Sequence, residues 1–420
     1  MAVDLSQLTE EANAGDIEAQ LQLADLYENG FGVELDKGQA VYWYRTAADS
    51  DSSKAQAHLG QMYLNGEGVP EDFTQAIHWL KLAADQNEAS AQADLAWCFQ
   101  KGLGVSKDLQ QSFQHYQRAA EQGHAGARYN LGYMYANGYG TERNDTEAVK
   151  WYARAAEQGH NKAQLNVGLM YAQGLGTEQD QARSVKWYRE AAKHGYAKAQ
   201  YNLALMYAGG QGVPQDDHEA YKWHKKAADQ GYARAQFNLG LFYVYGLGIE
   251  QNYKQAIKWF EKAAKQDYAK AYFQLGKLYT EGLGTDINED EAAECYQIAA
   301  ESDYAKAQYR MGRLYDKGQG VEQDYKVACE WYKKAAKQNL MKAQYLLGVH
   351  YAKGLGIEKN YVKSYAWLYL AREAGNNDQV TKIFRAVSKK LTDVNISEAK
   401  SLAHTLQKKY GLNTKAQVNQ

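Results

Sequence analysis

The 420-residue sequence is long enough for several ordinary domains, and its hydrophobic fraction of 45% can bury a large core, so we expect a folded protein. Its 48 basic and 50 acidic side chains nearly cancel, which excludes a global field for holding nucleic acid or anionic lipid. Cys98, Cys295 and Cys329 follow no metal-ligand spacing. We therefore expect reduced, buried thiols and neither a disulfide framework nor a metal site.

The first residues, MAVDLSQLTEEANAGD, are acidic where a secretory signal requires a basic region and an apolar run. No stretch approaches the roughly eighteen apolar residues of a membrane-spanning helix. We therefore expect a cytoplasmic protein with no membrane insertion, or a periplasmic or secreted one if a native signal has been removed. Residues 3–16 are predicted to form one helix that covers the N-terminal end of the fold, within a capping region at 1–18.

From residue 19 to residue 375 the sequence repeats itself. The segments LGQMYLNGEGV, LGYMYANGYGT, LALMYAGGQGV and LGVHYAKGLGI begin at Leu59, Leu131, Leu203 and Leu347, which are separated by multiples of 36 residues. Ten such repeats follow one another without insertion or deletion. We number the positions of each repeat so that Leu203 is position 5.

Each repeat is predicted to be a pair of amphipathic helices. Apolar and small residues follow the i, i+3, i+4, i+7 spacing of one helical face, as Ala199, Leu203 and Met206 do in the first helix of one repeat. A single hairpin cannot bury such a stripe alone, so neighbouring hairpins must stack. The sequence therefore predicts an all-α fold, an α-solenoid of ten helical hairpins.

A Gly-x-Gly pair recurs at positions 12 and 14 of all ten repeats, for example Gly210 and Gly212. A phosphate-binding loop is one interpretation of such a pair, but no strand precedes it and no Gly-Lys-Ser/Thr follows. Ten helix ends that each need a positive φ explain the pattern better. Position 6 alternates between glycine and alanine, which indicates a close helix crossing. The second helix is predicted to begin after a polar cap such as Asp72, Asp108, Asp216, Asn252 or Asp324.

After the last repeat, residues 376–420 are predicted to form a C-terminal helical cap with a tail. The segments QVTKIFRAVSKKL and NISEAKSLAHTLQKKY have the pattern of two capping helices. The last ten residues are expected to be frayed.

The repeat, A-x-x-x-L-G-x-x-Y-x-x-G-x-G-V-x-x-D-x-x-x-A-x-x-W-Y-x-x-A-A, resembles that of the Sel-one-like repeat (SLR) family, relatives of the tetratricopeptide repeat (TPR). The resemblance implies a right-handed superhelix whose first helices line a concave groove, and a role as a bacterial adaptor, regulator or immunity-type protein. Some cysteine-rich relatives carry a disulfide in every repeat and are linked to penicillin binding. This sequence lacks those cysteines, so that specialisation is not carried over.

In the related repeat, positions 3, 4, 7, 10 and 11 of the first helix face the groove. Here they form an asparagine ladder beside aromatic residues, and an asparagine amide can donate and accept hydrogen bonds with an extended peptide. The alternative is ordinary repeat packing, because these residue types are usual in the family. The candidate partner-binding residues are Asn130, Asn166, Asn202, Asn238, Trp97, Tyr133, Tyr129, Tyr201 and Phe237.

Charged residues at the same positions are acidic in the N-terminal repeats and basic in the C-terminal repeats. Arg310 and Arg313 are three residues apart on one helix, and Lys277 is on the neighbouring first helix, so the three could bind a carboxylate or a phosphate. The alternative is that Glu281 and Asp316 tie them into surface ion pairs.

Catalytic patterns are absent from the sequence. Ser112, His115 and Cys98 invite a nucleophile interpretation, but no paired base or oxyanion site accompanies them. We therefore predict a non-enzymatic interaction scaffold, expected to be a monomer without cofactor or nucleic acid, that binds a protein or peptide segment. The alternatives are a penicillin-recognising hydrolase, as for the cysteine-rich relatives, and a self-assembling structural protein with charged ends.

Overall fold

The computed structural model describes residues 4–375 and 377–412. Within these ranges the chain forms helices and no strand, which confirms the predicted all-α fold. The helices are α1 (Leu5–Asn13), α2 (Ile17–Asn29), α3 (Lys37–Asp49), α4 (Ser53–Asn65), α5 (Phe73–Asp85), α6 (Ala89–Lys101), α7 (Leu109–Glu121), α8 (Ala125–Asn137), α9 (Asp145–Glu157), α10 (Asn161–Gln173), α11 (Gln181–Lys193), α12 (Ala197–Gly209), α13 (Asp217–Asp229), α14 (Ala233–Tyr245), α15 (Tyr253–Ala264), α16 (Ala269–Glu281), α17 (Glu289–Glu301), α18 (Ala305–Lys317), α19 (Tyr325–Lys337), α20 (Met341–Lys353), α21 (Tyr361–Ala374), α22 (Asp378–Ser388) and α23 (Asp393–Tyr410).

Each repeat begins and ends its helices with the local signals found in the sequence. In repeat 4, α8 ends at Gly138, whose φ of 69° is left-handed, and Gly140 two residues later has the same φ of 69°. The side chain of Asn144 then accepts from the backbone N–H of Glu147 and caps α9. The five predicted polar caps are confirmed at the starts of α5, α7, α13, α15 and α19.

The two helices of a hairpin cross at position 6, as the alternation of glycine and alanine predicts. A Cβ atom added to Gly132 would lie 2.8 Å from Cδ1 of Tyr152, a residue at position 26 that is 3% exposed. Position 26 holds the largest buried side chains in several repeats, among them Tyr44, Tyr116, Tyr296 and Tyr332. The close crossing at position 6 is what makes room for this ring.

A row of buried glutamines joins successive hairpins and was not predicted from the sequence. In repeat 7, Gln236 is 5% exposed and donates from Nε2 to the carbonyl oxygen of Ala228 at 3.2 Å. Its Oε1 accepts from Nε2 of Gln266, which belongs to the loop after the same hairpin, at 2.9 Å. The same bonds recur around Gln92 and Gln308. Buried amides that are satisfied in this way help to fix how these hairpins sit on the previous ones.

The chain divides between Gln215 and Asp216 into two compact units. In each unit, consecutive helices pack on one another along the chain, which is the arrangement of an α-solenoid. The first unit begins with α1, which packs on α2 through buried Leu8 and Ala12. The second unit ends with α22 and α23, which both pack on α21. The expected frayed tail falls mostly on residues 413–420, which lie outside the described residues.

Candidate functional site

In the first unit, four of the predicted partner-binding residues line one cavity. This aromatic cavity has a volume of about 590 Å³ and lies on the first helices of repeats 3 and 4. Helix α6 contributes Trp97, and α8 contributes Tyr129, Asn130 and Tyr133. Further lining side chains are Tyr116, Tyr139, Gln100, Lys101 and Lys107. The cavity therefore combines aromatic surface with amide, phenol and ammonium groups.

The helical period of α8 explains why these side chains meet. Leu131 and Met134 are fully buried in the stripe that packs inside the solenoid. Tyr129, Asn130 and Tyr133 lie on the adjoining face at i, i+1 and i+4. Trp97 and Tyr133 remain 39% and 38% exposed, so both rings offer contact area on this face.

The asparagine ladder lies beside the buried tyrosines of position 26. The amide of Asn166 faces the phenols of Tyr152 and Tyr129, and the amide of Asn202 faces the phenol of Tyr188. Burial raises the pKa of all three phenols, and the neighbouring amides oppose that rise. The phenols lie on one side of the two carboxamides, so packing and binding are compatible uses of the same residue.

The other predicted groove residues have different surroundings. Tyr129 stacks on the ring of His160, with centroids 4.6 Å apart, and it is half-buried. Tyr201 and Asn238 are half-buried as well. Phe237 is only 9% exposed, because its ring packs against Phe260 and Tyr268. We leave Phe237 out of the contact surface, since a side chain so buried has little area to offer a partner.

The predicted basic trio in the second unit is divided between two cavities. Lys277 and Arg310 line a cavity of about 470 Å³, which we call the cationic cavity. Arg313 lines a neighbouring cavity of about 380 Å³ and donates to the phenol oxygen of Tyr309 at 3.2 Å. Tyr309 lines both cavities. Arg313 lies one helical turn after Arg310 on α18. Binding of one anion by all three residues stays a prediction.

Between described residues, the surface ion pairs considered as an alternative do not form at these three side chains. Among the described residues, the ion pairs include neither Lys277 nor Arg310 nor Arg313. Asp316 instead lies 3.3 Å from Nε2 of His350. The charges of Lys277 and Arg310 are therefore available to a ligand as far as the described residues are concerned.

Sequence reasoning missed a group formed by Cys329, His350 and Asp316. Nδ1 of His350 lies 3.2 Å from Sγ of Cys329 and 3.1 Å from the carbonyl oxygen of Leu355, while Nε2 faces Asp316. The Cys329 thiol also donates to the Leu355 oxygen at 3.2 Å. The signal was a histidine at position 8, which is apolar or cysteine in the other repeats, 21 residues after a cysteine.

This group is suited to packing more than to nucleophilic chemistry. Burial, followed by the charges of Asp316 and Glu330, raises the pKa of Cys329 to about 12, so the thiol stays protonated at neutral pH. Cys98 behaves in the same way, with a pKa raised to about 12 by burial and the charge of Asp94. In the part of the chain that the structure describes, no group of three or more His, Cys, Asp or Glu side chains could hold a metal ion.

The helical hairpins and their stacking define the class of protein, an α-solenoid repeat protein. The chain belongs to the Sel1 repeat family: the family's repeat model matches it ten times, at residues 17–52, 53–88, 89–124, 125–160, 161–196, 197–232, 233–268, 269–304, 305–340 and 342–376. Repeats of this TPR-like kind generally mediate protein–protein interaction. No helix among the described residues is long and apolar enough to cross a membrane.

Two solved structures are similar over most of the chain. One is c5321, a protective antigen of uropathogenic Escherichia coli with an SLR fold, at 33% identity and a TM-score of 0.68, covering 100% of this chain and 99% of that one. The other is a Sel1 repeat protein from Oxalobacter formigenes, at 35% identity and a TM-score of 0.64, covering 74% of this chain and 90% of that one. No curated protein sequence matches the chain.

Proposed function

We propose that the protein is a non-enzymatic scaffold that binds a segment of a partner protein on the first helices of repeats 3 to 6. The observation that carries the proposal is the aromatic cavity, which brings Trp97, Tyr129, Asn130 and Tyr133 together. Exposed tryptophan and tyrosine supply large contact areas at low entropic cost, and such residues dominate binding energy at protein interfaces.

The asparagines extend this surface along the first unit. Asn130 lies in the cavity, and Asn166 and Asn202 occupy the same position of the next two first helices. Both amides lie against buried phenols, which restricts their orientation before a partner arrives and reduces the entropy lost on binding. A partner segment would then meet aromatic side chains in repeats 3 and 4 and amides in repeats 5 and 6.

A photo-crosslinking experiment tests the proposal. p-Benzoylphenylalanine is placed at Tyr133, which is 38% exposed in the cavity, or at Tyr42, which is 56% exposed on the second helix α3. We expect Tyr133 to yield one crosslinked protein in a lysate of the source organism, and Trp97→Ala to reduce that yield at least about tenfold, as for an interface hot spot. The matched probe at Tyr42 should not capture the same protein.

Two results would contradict the proposal. One is capture of the same protein with equal yield at Tyr133 and Tyr42. The other is an undiminished yield in the Trp97→Ala variant and in an Asn166→Ala/Asn202→Ala variant whose thermal melts match the wild type. Either result would assign contact to another face of the hairpins.

A further inference from the structure

The cationic cavity lies in the second unit between the first helices of repeats 8, 9 and 10, that is α16, α18 and α20. Four cationic side chains line it, Lys277, Lys306, Arg310 and Lys342, against the single carboxylate of Glu281. None of these four is in an ion pair with another described residue. An excess of unpaired positive charge around a concave surface favours an anionic ligand.

Arg310 is the cation that the surrounding structure holds most firmly. Its guanidinium lies over the Tyr296 ring, 5.4 Å from the ring centroid. The Tyr296 phenol is 3.3 Å from Oγ1 of Thr280. Nε of Arg310 is buried and has no hydrogen-bond partner among the described residues. A guanidinium held over a ring, with donors to spare, is suited to bidentate binding of a carboxylate.

The cavity also has apolar walls. Phe273 packs against Tyr296 and Tyr304, with ring centroids 5.6 and 5.3 Å apart, and Leu340 and Met341 complete the apolar lining. Helix α20 begins at this wall after Leu340, which supplies no side-chain cap. Its first N–H groups therefore add to the positive potential. An inorganic ion would leave the apolar walls in contact with water, whereas a carboxylate attached to an apolar body would cover them.

We propose that the cationic cavity binds an acidic side chain of the partner protein together with a large apolar side chain next to it. The carboxylate pairs with Arg310 and Lys277, and the apolar side chain packs against Phe273 and Met341. This inference rests on the proposed function, because it names the chemistry of a partner segment. The cationic cavity lies in different repeats from the aromatic cavity, so this inference and the proposed function can fail separately.

The test uses four pools of acetylated, amidated nonapeptides in which only the central pair is fixed. The pairs are Glu-Leu, Gln-Leu, Glu-Ser and phosphoserine-Leu, and retention of each pool on the immobilised full-length protein is measured at about 50 mM salt, where charge pairing is weakly screened. We expect the Glu-Leu pool to be retained at least about tenfold more than the Gln-Leu and Glu-Ser pools.

Variants assign the effect to the cavity. Arg310→Gln and Lys277→Ala should each remove most of the preference for Glu-Leu. Lys333→Ala removes the same charge at an exposed position of α19 and should leave the preference for Glu-Leu intact. Lys277→Ala keeps the test valid if Arg310→Gln unfolds, since no described contact depends on the Lys277 ammonium.

Equal retention of the Glu-Leu and Gln-Leu pools would overturn the inference, as would stronger retention of the phosphoserine pool or equal losses in Lys277→Ala and Lys333→Ala. If a partner still crosslinks at Tyr133 while the Glu-Leu pool shows no preference, only this inference fails. If the pool is retained but Tyr133 captures nothing, the cavity chemistry stands and the proposed contact surface in repeats 3 to 6 fails.

Discussion

The aromatic cavity of the first unit and the cationic cavity of the second occupy equivalent places in their repeats but differ in chemistry. Position 4 holds Asn130 in one and Arg310 in the other, and position 7 holds Trp97 or Lys277. Beneath each cavity lies the same kind of side chain, a buried tyrosine at position 26, Tyr116 or Tyr296. The repeat framework thus fixes where a cavity forms, and a few first-helix positions decide what it can bind.

The largest expected effect is the loss of stability when a buried tyrosine of position 26 is replaced. If both units share this framework, the loss should be similar in the two. Tyr152→Ala and Tyr296→Ala each remove a ring that is at most 3% exposed, so each should lower the local free energy of unfolding by about 3–5 kcal/mol. Hydrogen exchange of the flanking helices is the measurement, because a solenoid need not unfold in one step. Tyr133→Ala, at a 38% exposed site, should cost far less. Unequal losses for the two buried tyrosines would show that the units are not built alike.

Asp94 is the acidic residue among those at position 4, and it yields a pH-dependent prediction. Burial raises the pKa of its carboxyl to about 6. Because this folded-state pKa lies above the unfolded value near 3.8, stability is greatest at low pH and falls as pH rises from about 4 to about 6. Asp94→Asn should therefore raise the free energy of unfolding at pH 7 by up to about 3 kcal/mol and flatten that part of the profile.

Denaturant melts between pH 4 and pH 7 measure this effect. Asp85→Asn makes the same change at an exposed site of α5 and should shift stability by less than about 0.5 kcal/mol. A fall in stability on Asp94→Asn at pH 7 would mean that the carboxylate has a partner that favours its charge.

Replacing a buried glutamine should cause a moderate loss of stability, and the loss should be similar in both units. Gln236→Leu would remove two hydrogen bonds, one to the carbonyl oxygen of Ala228 and one from the amide of Gln266, at a cost of about 1–3 kcal/mol. Each of these two groups keeps a bond to the backbone of Gly231. Gln92→Leu should behave similarly, because Gln92 makes the same two bonds with Ala84 and Gln122. Thermal melts compare them with Gln297→Leu, an exposed glutamine of α17 whose loss should be nearly neutral.

The period, the helices and their caps could be predicted from the sequence because their signals are local: apolar spacing, glycines at positive φ and polar caps repeat ten times. The glutamine bonds could not be predicted, since a glutamine that follows an alanine looks the same in the sequence whether it is exposed or buried. The Cys329, His350 and Asp316 group was missed because three separate helices supply its members. Spacing could place Arg310 and Arg313 on one face of a helix, but it could not show that Arg313 donates to Tyr309 and lines the neighbouring cavity.

The smallest expected effect is the loss of stability when a buried phenol of position 26, or the polar side chain next to it, is replaced. The phenol of Tyr188 lies within reach of Ser184 and of Asn202, which is at position 4 of the next repeat. Tyr332, followed at that position by Leu346, instead donates to Asp316 at position 10 of its own repeat. Tyr188→Phe should therefore cost about 1 kcal/mol, and Asn202→Leu a similar amount. Because the double variant removes both partners, its loss should be smaller than the sum of the two. A double-mutant cycle on denaturant melts measures the difference, and strict additivity would show that Asn202 is held by something other than the phenol. In that case the amides of position 4 would not be coupled to the buried tyrosines. The two cavities would then differ in the packing below them as well as in their lining side chains.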